Sequence, residues 1–165
     1  MKATDHLLAT GYVDGERMAA AGGSYGGYMM SWILGHSDRY RALIDHAGVY
    51  DLMAQYASDY TWSRGYNYGS TPWEDPERVD LYSPSRFAKN FATPTLILHG
   101  ELDYRVPVSQ GINLHHVLTG KGVPSRIVIF PDENHWILKP QAAEVWWGEV
   151  YAWLEKYIGK GPREE

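Results

Sequence analysis

The chain has no cysteine among its 165 residues, which excludes disulfides, thiol catalysis and thiolate metal sites. That absence fits a reducing compartment. No apolar run approaches the ~20 residues of a membrane span. The opening stretch MKATDHLLATGY sets Asp5 and His6 inside its short apolar run, unlike a secretory leader. No basic run or stripe is present and the net charge is −5, which argues against a nucleic-acid partner. There is no internal repeat and no low-complexity segment. The expectation is a soluble, cytoplasmic protein with no membrane or nucleic-acid partner.

What is there reads as one globular domain spanning residues 1–165. The chain is 44% apolar and 14% aromatic, so disorder is not expected. A chain near this size hides roughly 70% of its unfolded surface.

Residues 4–9 read as a short helix with Thr4 as N-cap and Gly11 beyond its end. Residues 17–22 read as a buried strand, 25–34 as a helix stopped by Gly35, and 41–46 (RALIDH) as a second strand ended by Gly48. A helix is expected over 52–60. Residues 61–85, TWSRGYNYGSTPWEDPERVDLYSPS, mix proline, glycine and aromatics and predict a long surface loop. TLILH at 95–99 is the strongest strand. A helix over 108–118 opens at Pro107, and RIVIF at 126–130 is a fourth strand stopped by Pro131. Trp146, Val150, Trp153, Leu154 and Tyr157 mark one face of a long last helix. Strands alternating with helices predict an α/β fold: about four parallel strands flanked by helices, with ligands at the carboxyl ends of the strands.

The stretch RMAAAGGSYGGYMM places Ser24 between the first strand and its helix, in the pattern G-x-S-x-G. Such a turn holds the serine strained above the sheet edge, and glycines at 22 and 26 allow close backbone approach. The helix that follows aims free N–H groups at the same spot, so the backbone N–H of Tyr25 is the candidate oxyanion donor. The alternative is a glycine-rich turn whose serine only caps the helix.

A serine hydroxyl needs a base, and the base needs a carboxylate to orient it. In hydrolases of this architecture the chain order is serine, acid, histidine. TLILHG runs straight into ELDYRV and puts Asp103 just past the third strand. RIVIFP runs into DENHWI and puts His135 just past the fourth. Ser24, Asp103 and His135 therefore share one rim of the sheet. Glu101 and Asp132 are rival acids. His99 lies inside a strand and reads as packed. His115 and His116 are adjacent on a helix and make a poor metal pair. Asp45 and His46 end the second strand in the wrong order. The chemistry requires no metal or cofactor.

The blocks DHLLATGYVDGERMAAAGGSYGGYMMSWILGH, HAGVYDL, TPTLILHGELDYRVPVSQ and VIFPDENHWILKPQ resemble the catalytic domain of the prolyl oligopeptidase family, in its dipeptidyl-peptidase and acylaminoacyl-peptidase-like members. The resemblance implies an α/β-hydrolase fold with Ser24 as nucleophile, His135 as base, Asp103 as its orienter and Tyr25 as one oxyanion donor. Trp136 stands where glycine often follows the family's histidine. The resemblance reaches only the last part of that domain. The implied fold is a truncated α/β-hydrolase without the propeller, the first strands, or the glycine-rich segment and tyrosine that carry a second oxyanion donor. Residues 17–22 then form a sheet edge. A homo-oligomer covering that edge is expected, with residues 2–12 folded over it as the alternative.

The expected activity is serine hydrolysis by acyl transfer on a small ester or peptide-like substrate, esters before peptides. Tyr56, Tyr60, Trp62, Tyr66, Tyr68, Trp73 and Trp136 are candidate pocket residues. Their rival role is tethering a long loop to the body. A non-catalytic binding or assembly module is the rival function, and an acyltransferase a third.

Overall fold

The computed structural model describes residues 2–159. Strands β1 (Ala19–Gly23), β2 (Ala42–His46), β3 (Thr95–Gly100) and β4 (Ser125–Phe130) form one parallel sheet in chain order. The helices are α1 (Lys2–Ala9), α2 (Tyr25–His36), α3 (Leu52–Gln55), α4 (Thr61–Tyr68), α5 (Pro76–Asp80), α6 (Ser109–Gly120) and α7 (Pro140–Ile158). A 3-10 helix covers Pro84–Asn90.

The inner strands β2 and β3 are buried along their whole length, which is why they read as continuous apolar runs. Met30 and Leu34 of α2 and Leu114 and Leu118 of α6 pack with Leu43 and Ile97 on one face. Val150 and Trp153 of α7 pack with Ile44, Leu96, Leu98 and Phe130 on the other. Each such side chain contributes roughly 1.5–3 kcal/mol by leaving water. The last-helix stripe read from the sequence lies in this second cluster, where Trp146, Leu154 and Tyr157 join it. Among the described residues no helix is long and apolar enough to cross a membrane.

Several elements differ from expectation, each for a local reason. Residues 61–85 are not one loop: they hold α4, α5 and the start of the 3-10 helix. Gly69 closes α4 in the left-handed conformation, φ 77°. Asp75 caps α5, accepting the N–H of Arg78, with Pro76 in the first turn. Residues that read as breakers thus serve as caps. The helix expected over 52–60 ends at Gln55. Gly35 does not stop α2. It is buried, and a Cβ there would lie 2.7 Å from Cβ of Phe87, so it admits the 3-10 helix rather than ending its own. Thr4 lies inside α1, not at its cap, and bonds the Tyr40 hydroxyl at 2.9 Å. Asp5 pairs with Arg39. These two ties fasten α1 beside the start of β2, while Ala21 and Gly23 of β1 remain exposed. Residues 2–12 therefore do not seal that edge.

Candidate active site

The chain leaves β1 at Gly23 and enters α2 at Tyr25, so Ser24 alone makes the turn. Its backbone sits at φ 58°, ψ −117°, a conformation that costs about 1–3 kcal/mol for a residue with a side chain. The surroundings hold it there. The Ser24 N–H donates to the His46 carbonyl at 2.8 Å, and the Tyr28 N–H donates to the Ser24 carbonyl at 3.0 Å. A Cβ on Gly22 would lie 2.3 Å from the Gly26 carbonyl oxygen. Glycine at 22 is therefore a requirement of the turn. Gly26 differs from expectation: a Cβ there meets nothing within 4 Å, because its backbone, not its open side, makes the close approach. The Ser24 hydroxyl makes no capping bond to α2 and is left for another partner. Tyr25 opens α2, with its N–H ahead of the helix's own hydrogen-bond ladder.

That partner is His135. Its Nε2 lies 2.9 Å from Ser24 Oγ, and its Nδ1 lies 2.7 Å from Asp103 Oδ2. A carboxylate only accepts, so Nδ1 carries the proton and Nε2 is left to accept from the serine hydroxyl. Asp103 is fully withdrawn from solvent in its side chain. Its Oδ1 accepts the N–H groups of Arg105 (2.9 Å) and Val106 (2.8 Å). Burial pushes its carboxyl upward, but hydrogen bonds from His135, His99 and the Val106 N–H more than offset this and hold it well below the usual carboxylate range. It stays ionised at neutral pH. Of the rival acids, Glu101 and Asp132 are both exposed.

Neighbouring groups brace this chain. Glu133 accepts the N–H groups of Leu138 and Lys139, both at 3.0 Å, and so ties together the loop that presents His135. The sequence reading missed it, since its partners are backbone groups. His99 is buried in β3 and its Nε2 lies 2.7 Å from the Val106 carbonyl. Asp45 is buried and accepts from the Ser31 hydroxyl at 2.8 Å. Burial raises its carboxyl to about 6, against the lowering influence of Ser31, His99 and the Gly48 N–H. Burial lowers His46 to about 4, and its Nδ1 accepts the indole N–H of Trp146 at 3.2 Å. Neither group reaches Ser24 in place of His135.

Ser24 opens into a cleft of about 1000 Å³. Of the aromatic candidates, Tyr60, Tyr66 and Tyr68 line it. Tyr56 does not: it is buried beneath, with its ring against Tyr68 and Trp73. Trp62 and Trp73 are exposed and outside it. Trp136 sets its ring edge-on to His135 at 5.0 Å and borders a separate cavity of about 220 Å³ with His46 and Trp146. Arg64, Arg78, Arg105, Tyr28 and Tyr82 line the main cleft as well, none of them anticipated. Reading 61–68 as a helix reveals part of this: Tyr60, Arg64 and Tyr68 recur every four residues and so share a face. Among the described residues no group of three His, Asp or Glu side chains is placed to hold a metal ion.

A parallel sheet with a strained serine after one strand, and an acid and a histidine after two others, defines an α/β-hydrolase. The chain matches the prolyl oligopeptidase family over residues 1–161, and it belongs to that family. It is 42% identical over 149 residues to dipeptidyl-peptidase 5 of Schizosaccharomyces pombe, a match covering 88% of this chain and 22% of that protein. With dipeptidyl-peptidase 5 of Porphyromonas gingivalis the identity is 39% over 166 residues, covering 97% of this chain and 24% of the relative. The structure of Pyrococcus horikoshii acylaminoacyl peptidase superposes with a TM-score of 0.89 at 28% identity, over 99% of this chain and 27% of that one. The chain thus spans less than a quarter of the length of these two curated relatives, at 22% and 24%.

Proposed function

We propose that this chain is a serine hydrolase that cleaves esters and peptide-like carbonyls by acyl transfer. The observation that carries this reading is the unbroken hydrogen-bond chain from Ser24 through His135 to Asp103. Ser24 Oγ attacks the carbonyl carbon while its proton passes to His135 Nε2. The imidazolium is stabilised by ionised Asp103 and gives the proton to the leaving group. Water then enters, loses a proton to His135, and releases the acid from Ser24. The Tyr25 N–H faces the oxygen that becomes negative, and one such donor is worth about 10²–10³ in rate.

Esters are the substrates to try first, because an alkoxide or phenolate leaves more readily than an amine. The names of the relatives, dipeptidyl-peptidase 5 and acylaminoacyl peptidase, favour peptide substrates as well. A fluorophosphonate probe tests the reading. Labelling of the parent, lost in Ser24→Ala and His135→Ala, supports it. A parent that remains unlabelled at neutral pH points to a binding module instead. A homo-oligomer that covers the open β1 edge is part of this proposal, and a stable monomer at micromolar concentration in light scattering would remove that part.

A further inference from the structure

The cleft in front of Ser24 carries charge of one sign. Its lining includes Arg64, Arg78 and Arg105 and no aspartate or glutamate, in a chain with more acidic than basic side chains, 20 against 15. Arg105 is answered by Asp59, Nε to Oδ1 at 2.9 Å. Arg64 has no such answer. It is only 8% exposed, yet it donates only to neutral oxygens: Ser58 Oγ at 2.9 Å, the Tyr68 hydroxyl at 3.4 Å and the Arg105 carbonyl at 3.4 Å. Its Nε is buried with no acceptor among the described residues. The rings of Tyr60 and Tyr68 lie 5.5 and 5.8 Å from its guanidinium carbon, offering π faces without a counter-charge. No carboxylate pairs with Arg64 or with the exposed Arg78 among the described residues.

A withdrawn guanidinium without an anion is costly, and it is not needed to hold a loop that neutral side chains also hold. Its fork of N–H donors matches a carboxylate better than a single carbonyl. We propose that the cleft selects acyl groups bearing a carboxylate, with Arg64 as the residue that receives it. The substrate class is dicarboxylic half-esters, or peptides acidic on the acyl side of the cleaved bond. This rests on the reading of Ser24 as the nucleophile. The tyrosine walls contact the methylene spacer, and hydrolysis converts half-ester and water to diacid and alcohol.

The test compares mono-p-nitrophenyl glutarate with p-nitrophenyl pentanoate, equal in chain length and differing in the terminal carboxylate. The parent is expected to favour the glutarate by about 10-fold or more in kcat/KM. Arg64→Gln brings that ratio close to one, and Arg64→Lys retains part of it. The ratio within each protein cancels any general loss of activity. A parent that favours the pentanoate, or an Arg64→Gln protein that keeps the parent ratio, overturns the proposal. If Arg64→Gln does not fold, Arg78→Gln reads the same field: a severalfold fall in the ratio supports the proposal and an unchanged ratio overturns it. If neither ester is hydrolysed, the acyl-transfer reading fails by itself. Calorimetry with the mono-propylamide of glutaric acid and with N-propylpentanamide then decides. Tighter binding of the acid, lost in Arg64→Gln, supports the proposal, and equal binding overturns it.

Discussion

The Nδ1–H of His135 donates to one oxygen of Asp103 at 2.7 Å, while the other oxygen accepts the N–H groups of Arg105 and Val106. The carboxylate is therefore held on both sides, and its geometry sets which imidazole nitrogen carries the proton. Asp103→Asn keeps the shape, but the orientation that leaves its oxygen on both loop N–H groups turns its NH₂ toward Nδ1. An NH₂ only donates, so it favours the tautomer with the proton on Nε2, and His135 is no longer held as a base. Ester kcat is expected to fall by about 10³–10⁴ with little change in the circular dichroism spectrum. A loss smaller than tenfold contradicts this role.

Gly22 faces the backbone of Gly26. Gly22→Ala has no room to relax, because the obstructing atom, 2.3 Å from the new Cβ, is a carbonyl oxygen rather than a flexible tip. The cost is expected at about 1–3 kcal/mol or more, and the displaced turn takes Ser24 out of reach of His135. A lowered urea midpoint together with loss of fluorophosphonate labelling is the signature. Gly26→Ala, with open space at its Cβ, is expected to be much milder.

Glu133 acts on His135 only through the loop between them. Glu133→Ala frees the Leu138 and Lys139 N–H groups and lets the imidazole drift. A misplacement near 1 Å costs roughly 10²-fold in rate. Since positioning, not proton affinity, is lost, the pH profile of ester kcat/KM keeps its shape while its height falls. A profile that shifts along the pH axis contradicts a positioning role.

Asp45 carries a pH-dependent stability of unusual sign. Its folded carboxyl titrates near 6, above the ~3.9 of an unfolded aspartate. The folded state binds this proton more tightly, so the contribution is present below about 4 and is lost as pH rises through 6. The span of roughly two pH units corresponds to about 3 kcal/mol at most. His46, lowered to about 4 by burial, works in the opposite direction over much of the same range, so the parent's own curve mixes the two. The difference between parent and Asp45→Asn isolates Asp45. In urea melts the variant is expected to gain on the parent between pH 4.5 and 7.5, and a constant difference contradicts the assignment.

The rim that gathers Ser24, Asp103 and His135 was legible because each follows a strand whose end is marked by glycine or proline. Parallel strands in register bring such ends together. The region 61–85 was not legible, since Gly69 and Pro76 look the same in sequence whether they break a loop or cap a helix. The contribution of Glu133 was hidden for another reason: its partners are N–H groups, which every residue has.

The amino-acid sequence by itself determined the order of strands and helices, the serine turn and the order of acid and histidine, because periodicity, glycine and chain order are local properties. Tertiary structure alone decided which aromatics face the cleft and that Arg64 is buried there without a carboxylate. Those outcomes depend on how α4 rolls against the body, and that is set by packing among residues far apart in the chain.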